Sequence, residues 1–268
     1  MTEAVELSAP EALVLLSLPR YDGRQALKLG FMGLVAQGVL RLDTEDRPGL
    51  LRTRRIPHLT VAPGLPANLP PIAASLVGVV RAAAPGGLMK DVVKQSMREY
   101  GKQLAGFVQN HVRPMLVGRG LAEIRQSRLL GIIPLARYFR TPAGEAEKIR
   151  IEGAVRNAKT IPQLLKNDPA QAAVLVAAAG AAILLVEELR PHYDALSRAL
   201  RGSDGGGFYS ADGGGFGDGG SGFAGLDFGG LDFGGVDFSC FDSGAFASFD
   251  AGFSDAGGGG DGGGSAGC

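Results

Sequence analysis

The fold class depends most on the segment MLVGRGLAEIRQSRLLGIIPLARYFR, from Met115 to Arg140. Its first residues match the end of an apolar helix, and Gly120 has the position of the residue after a helix C-cap. The chain then continues as two segments that meet near Gly131 and Pro134. This order predicts a helix followed by a β-hairpin over Glu123 to Thr141.

An earlier segment has the same pattern. GLVAQGVLRL (33–42) resembles MLVGRGLAEI (115–124) in a Leu-Val pair, a glycine three residues later and an apolar-led strand. A strand over 39–43, a turn over 44–49 and a strand over 50–56 predict a second hairpin. A helix followed by a hairpin is the pattern of the last helix and wing of a winged helix. The sequence therefore predicts two related helix–hairpin units.

Apolar residues at helical spacing predict helices over most of the remaining body. Ser8 is the expected N-cap of the first helix, and Pro114 is expected to kink or open another. Pro169 to Val186 carries no charge, but its 18 residues only reach the lower edge of the roughly 17–25 that span a bilayer. A buried core helix is therefore favoured there. The predicted helices cover 8–18, 24–37, 72–84, two stretches within 88–118, one or two helices over 145–165 and the last two over 168–200.

The composition changes after Arg201. All 27 Lys and Arg residues lie at or before it with 17 of the 27 Asp and Glu, so this body has a formal net charge of +10 and the remainder −10. From Gly202 onward 26 of 67 residues are Gly, which predicts a disordered tail over 202–268. We therefore predict a mainly α-helical fold with two short β-hairpins in winged-helix-like units over 1–201. A basic body favours an anionic partner.

The chemistry-bearing residues favour binding over catalysis. His58, His111 and His192 are scattered, and no metalloprotease or nucleophile-elbow motif is present. Cys240 and Cys268 both lie in the tail and form no metal-ligand spacing. We therefore predict a non-enzymatic protein without metal or cofactor. No signal-peptide pattern opens the chain, so the sequence predicts a cytoplasmic location.

The second hairpin has a composition suited to a lipid surface. Four apolar residues near its tip could enter the acyl boundary while flanking arginines meet phosphates. The predicted lipid-binding residues here are Arg125, Arg128, Leu129, Leu130, Ile132, Ile133, Arg137 and Arg140. Packing of the tip on its own subunit and contact with the same hairpin of a second copy stay open as alternatives.

Four segments together resemble the Golgi phosphoprotein family, phosphoinositide-binding adaptors with bacterial relatives. They are EALVLLSL (11–18), LVAQGVLRL (34–42), LVGRGLAEIRQSRLLGIIPLARYF (116–139) and NDPAQAAVLVAAAGAAILL (167–185), and the resemblance covers roughly 10–200. It implies a helical fold whose hairpin, here 123–140, mediates self-association and inserts at a membrane surface. The expected location is then cytoplasmic and peripherally membrane-associated.

The family holds a 4-phosphate headgroup with a Trp and several Arg, and this chain contains no Trp. The paired arginines of the family fall on Gly106 and Gln109, and an earlier one falls near Leu27 and Lys28. Lys28 is therefore the basic residue that the resemblance adds to the predicted lipid-binding set.

A winged-helix DNA-binding protein is the alternative function. Arg41, Arg52, Arg54 and Arg55 would form a basic strip on the first wing that meets phosphates. The helix over 24–37 would be the recognition helix, but it offers few donors for base readout. Nucleic acid is therefore the less favoured partner.

Overall fold

The structure is a computed structural model that describes residues 7–47, 54–66, 68–129 and 133–192. Most of these residues are helical, and the strands form two antiparallel two-stranded hairpins, which confirms the predicted class. The predicted tail over 202–268 lies outside the described residues. The helices are α1 (Ala9–Ser17), α2 (Gly23–Ala36), α3 (Pro71–Ala82), α4 (Met89–Tyr100), α5 (Ala105–Phe107), α6 (Arg113–Gly118), α7 (Pro142–Ala158), α8 (Ile161–Asn167) and α9 (Pro169–Ala179).

The start of α1 agrees with the sequence pattern. The Glu11 carboxylate accepts hydrogen bonds from the Ser8 backbone N–H at 2.9 Å and from the Ser8 hydroxyl at 2.5 Å. Glu11 is only 2% exposed, and its other carboxylate oxygen lies 3.4 Å from Nε of Arg119. Because Arg119 directly follows α6, this buried carboxylate connects the start of α1 with the end of α6.

The two helix–hairpin units end their helices in the same way. Gly38 and Gly120 follow the helix C-caps with φ of 68° and 70°, a conformation that favours glycine. In both units the backbone N–H of the residue after this glycine donates to the carbonyl five residues earlier. The carbonyl of the same residue accepts from the backbone N–H of the residue that follows the hairpin. These bonds join Val39 to Leu34 (2.9 Å), Leu121 to Leu116 (2.9 Å), Ala62 to Val39 (3.0 Å) and Thr141 to Leu121 (3.1 Å).

The first hairpin differs from the prediction in its strand positions. Strand β1 (Leu40–Arg47) extends into the turn predicted over 44–49, and β2 (Arg54–Val61) extends beyond the strand predicted over 50–56. Pro57, which pairs with Thr44, is tolerated because a two-stranded ribbon leaves edge positions without a hydrogen-bonding neighbour. The described strands therefore flank residues 48–53 instead of 44–49.

Pro114 has the predicted disruptive effect on its helix. Between α5 and α6 the chain forms a π-helical turn (Val108–Val112), closed by the Arg113 N–H on the Val108 carbonyl. Proline cannot donate to the carbonyl four residues earlier, and a wider turn accommodates that missing bond. His111 lies within this turn.

Helix α2 is at the centre of the core, and eleven of its fourteen residues are buried. The uncharged segment from Pro169 contributes one face to the core, with Val176 and Ile183 at most 1% exposed, whereas Val174 is 66% exposed. It is not one helix, however, because α9 ends at Gly180 (φ 54°) and a 3-10 helix (Gly180–Leu185) follows. None of the helices in the described part of the chain combines the length and hydropathy that crossing a bilayer requires.

Candidate functional site

The second hairpin consists of β3 (Ala122–Leu129) and β4 (Ile133–Arg140), as the sequence predicts. Its base is packed on the body, with Ala122 buried, while residues 124–126 and 136–137 are exposed. These exposed positions alternate between the two faces of the ribbon. Ile124, for example, is 49% exposed. The middle of the hairpin therefore projects from the body with both faces accessible.

Arg125 and Arg137 are directly opposite each other on the two strands. The guanidinium of Arg125 forms an ion pair with Glu123 at 2.5 Å, and it lies 5.0 Å from the centroid of the Phe139 ring. Arg137 is exposed and has no ion pair or ring contact among the described residues. Two like charges placed opposite each other destabilise a ribbon, which favours an anion between them.

The predicted apolar tip is only partly within the described residues. Leu129 is paired with Ile133, and Arg128 with Pro134. Leu130 and Ile132 lie outside the described residues, and Arg128, Leu129 and Ile133 are described by their backbone pairing alone. The lipid contacts predicted for the tip therefore stay predictions.

Arg140 does not have the role that the sequence predicted. Its guanidinium is turned back to the body, where it donates to the backbone carbonyls of Leu15 (2.6 Å), Leu16 (2.8 Å) and Leu18 (2.9 Å) and to Glu145 (3.1 Å). Its side chain is 14% exposed. Because its donors satisfy the carboxyl end of α1, Arg140 holds the hairpin on the body and is removed from the lipid-binding set.

Lys28 is likewise removed from the predicted set. It lies on the core-facing part of α2 and is 8% exposed, so little of its side chain can meet a headgroup. The neighbouring Leu27 is fully buried, and Gln109 is exposed but neutral, with its amide donating to the Tyr21 hydroxyl at 3.1 Å. These positions, taken from the family resemblance, therefore supply no exposed cation.

Arg113 is a candidate that the sequence reasoning missed. Its guanidinium lies between the rings of Tyr21 and Tyr138, 4.3 and 4.2 Å from their centroids, and its Nε is buried without a hydrogen-bond partner. Tyr138 pairs with the exposed Ile124, so this arginine sits at the base of the hairpin. The three residues are far apart in sequence, and their meeting could not be read from a motif. A stacked guanidinium keeps its N–H edge available for an anion.

Ser75, Tyr100 and His111 form a polar cluster that the sequence did not reveal, since 25 and 36 residues separate them. The Ser75 hydroxyl is 2.6 Å from the Tyr100 hydroxyl and 3.2 Å from Nε2 of His111. Burial raises the pKa of Tyr100, although the Ser75 hydrogen bond opposes this, and burial lowers the pKa of His111 against the pull of Glu99. The folded protein thus favours the neutral form of both rings.

We expect the His111 shift to make the folded protein less stable in mild acid. The unfolded chain takes up the proton near pH 6.5, whereas folded His111 does so only at lower pH. The contribution of neutral His111 to the free energy of unfolding is therefore complete above pH 6.5, and it is lost as the pH falls towards the folded-state pKa. Urea unfolding across this range should show that decline, and His111→Gln should reduce it. An unchanged pH profile in His111→Gln would contradict this assignment.

The first hairpin gives little support to a DNA-binding wing. Arg41 is exposed, but Asp43 and Glu45 are exposed on the same strand, so the described edge is not uniformly basic. Arg52 lies outside the described residues, and the side chains of 54 and 55 are not described. Helix α2, which would have to enter the major groove, is buried on most of its surface.

Comparison of the chain with protein-family models, curated proteins and solved structures finds no match. Among the described residues, no group of three or more His, Cys, Asp or Glu side chains could hold a metal ion. The resemblance to the Golgi phosphoprotein family and the absence of an enzymatic activity stay predictions.

Proposed function

We propose that this protein docks peripherally on anionic membrane surfaces through its second hairpin and acts there as a non-enzymatic adaptor. The observation that carries the proposal is the exposed middle of the hairpin, where Ile124 and the opposed pair Arg125 and Arg137 project away from the core. This is the combination that interfacial binding uses, with apolar side chains at the acyl boundary and cations at the phosphates.

The expected affinity is moderate. Full burial of an aliphatic side chain contributes roughly 1.5–3 kcal/mol, and each arginine near an anionic surface contributes about 1 kcal/mol. Partial insertion of Ile124 and the tip leucines and isoleucines, with Arg125 and Arg137, then gives on the order of 5–8 kcal/mol, close to the roughly 8 kcal/mol of micromolar binding. Such docking is reversible and is strengthened when two copies bind together.

Arg113 offers a further phosphate contact at the base of the same hairpin. The rings of Tyr21 and Tyr138 fix its plane, which reduces the side-chain entropy lost when an anion binds. A headgroup bound to this N–H edge, such as a phosphoinositide, would be close to the bilayer that the hairpin tip enters. The cytoplasmic location and self-association through 123–140 belong to the same proposal.

Co-sedimentation of the full chain with vesicles tests the proposal. We expect binding to phosphatidylcholine vesicles that contain about one third phosphatidylserine, and little binding without the anionic lipid. Arg125→Ala/Arg137→Ala should weaken this binding about 30-fold, since two arginines contribute about 2 kcal/mol. In the same assay, Leu129→Asp/Ile132→Asp should lose vesicle binding, because it replaces apolar residues of the tip by charged ones.

The matched control is Arg41→Ala/Arg81→Ala, which removes the same charge from exposed positions on the first hairpin and on α3. It should reduce the affinity less than about threefold. Equal losses in the two double variants would mean that net charge alone attracts the protein to vesicles. Duplex DNA binding that is lost only in the control variant would favour the wing of the first hairpin instead.

A further inference from the structure

The two opposed arginines of the second hairpin differ in their surroundings. Arg125 has a carboxylate and a phenyl ring beside it, supplied by Glu123 and Phe139. Both partners belong to the hairpin. Glu123 lies two residues before Arg125 on β3, and Phe139 lies diagonally across from Arg125 on β4. Arg137 has neither among the residues that the structure describes, although it is exposed. Within the described part of the chain, the exposed ribbon thus presents one arginine with an acid and a ring beside it and one with neither.

The chain itself carries that combination in a repeated form. Leu-Asp-Phe occurs at 226–228 and 231–233, and Val-Asp-Phe follows at 236–238, each step five residues long. Every copy places a carboxylate beside a phenyl ring, with an aliphatic residue before them. The segment after Arg201 contains ten Asp and no basic residue, whereas the body carries +10. Charge and side-chain chemistry are therefore complementary between the repeats and the Arg137 side of the hairpin.

We infer that the Asp-Phe repeats over 226–238 bind the exposed second hairpin of the same chain, around Arg137, and compete there with lipid phosphate. This inference rests on the proposed function, because the competition concerns the same surface. A carboxylate of the repeat pairs with the Arg137 guanidinium, its ring stacks on that guanidinium, and the aliphatic residue covers exposed apolar surface of the hairpin.

The connecting length permits this contact. The 33 residues between His192 and Leu226 can span at most roughly 110 Å, whereas a compact body of about 190 residues has a radius of gyration of about 16 Å. A tethered segment meets its site at an effective concentration in the millimolar range when its linker can span the distance. Weak individual contacts are thus sufficient to occupy the hairpin for a substantial fraction of the time.

The consequence is an adjustable membrane affinity. If the repeats cover the hairpin for half to four fifths of the time, the apparent lipid affinity falls about two- to fivefold. An increase in the anionic lipid fraction overcomes this competition, because lipid phosphate and repeat carboxylate bind the same arginine. The protein would then select strongly anionic surfaces over weakly anionic ones.

Two measurements on the full chain test the inference. Hydrogen exchange in the absence of lipid compares the wild-type chain with Asp227→Asn/Asp232→Asn/Asp237→Asn, and the same variant is sedimented with the phosphatidylserine vesicles. We expect faster exchange over 122–140 and an affinity for vesicles that is two- to fivefold higher. The matched control, Asp204→Asn/Asp212→Asn/Asp218→Asn, removes the same charge outside the repeats and should change both readouts less.

The outcomes separate the two ideas. The inference is overturned if the repeat variant leaves the hydrogen exchange rate over 122–140 unchanged. It is also overturned if the two triple variants have equal effects, because these would reflect net charge. Protection that increases with protein concentration overturns the assignment to the same chain and makes a second copy the partner. A repeat variant with faster hairpin exchange but no vesicle binding in any form supports the internal contact and contradicts the proposed membrane role.

Discussion

Arg140→Ala is expected to lower the free energy of unfolding by about 2–4 kcal/mol. The guanidinium donates to three backbone carbonyls at the carboxyl end of α1 and to Glu145, and the side chain is 14% exposed. Alanine leaves the partly buried carbonyls without donors and removes the cation next to the negative end of the helix dipole. Equilibrium urea unfolding, followed by far-ultraviolet circular dichroism, measures this loss.

Arg137→Ala is the matched control, because it removes the same side chain three residues earlier on the same strand from an exposed position. Its stability should stay within about 0.5 kcal/mol of wild type. Arg140→Lys should still lose stability, since one ammonium cannot reproduce the planar set of donors. Equal stability of Arg137→Ala and Arg140→Ala would show that the carbonyl contacts of Arg140 contribute nothing.

Gly144→Ala should destabilise the fold by a similar amount, about 2–4 kcal/mol. Gly144 lies in the first turn of α7, where its backbone N–H donates to the Thr141 hydroxyl. A Cβ at this position would overlap the Leu121 carbonyl oxygen, which already accepts the Thr141 N–H. Because the nearest atoms to this Cβ, the carbonyl oxygen and carbon of Leu121, belong to the backbone, α7 or the hairpin base has to move. Thermal and urea unfolding should both detect the loss.

Gly153→Ala is the control on the same helix. A Cβ at Gly153 meets no atom within 4 Å, and the position is in the middle of α7. Alanine there should raise the stability by about 0.5–1 kcal/mol, because glycine loses more backbone entropy than alanine in a helix. If Gly144→Ala were as stable as Gly153→Ala, the close approach of α7 to the Leu121 carbonyl would not limit the packing.

Local patterns in the sequence were sufficient to predict most elements. Ser8 and Glu11 mark the start of α1, and Gly38 and Gly120 mark the ends of the two helices before the hairpins. These signals concern neighbouring residues whose backbone bonds close within one or two turns, so no tertiary contact is needed to read them. The second strand of the first hairpin lies further along the chain than predicted, because an edge position tolerates Pro57 within β2.

Sequence patterns were sufficient for the start of α1, the ends of the helices before the two hairpins, the repeated helix–hairpin order and the difference in charge between the body and the segment after Arg201. Which arginines near the hairpin are exposed depends on tertiary contacts. Arg137 and Arg140 look equivalent in sequence, yet one points outward and the other closes the end of α1. Side-chain partners come from distant segments, as with Arg113 between Tyr21 and Tyr138, so no local pattern encodes their approach.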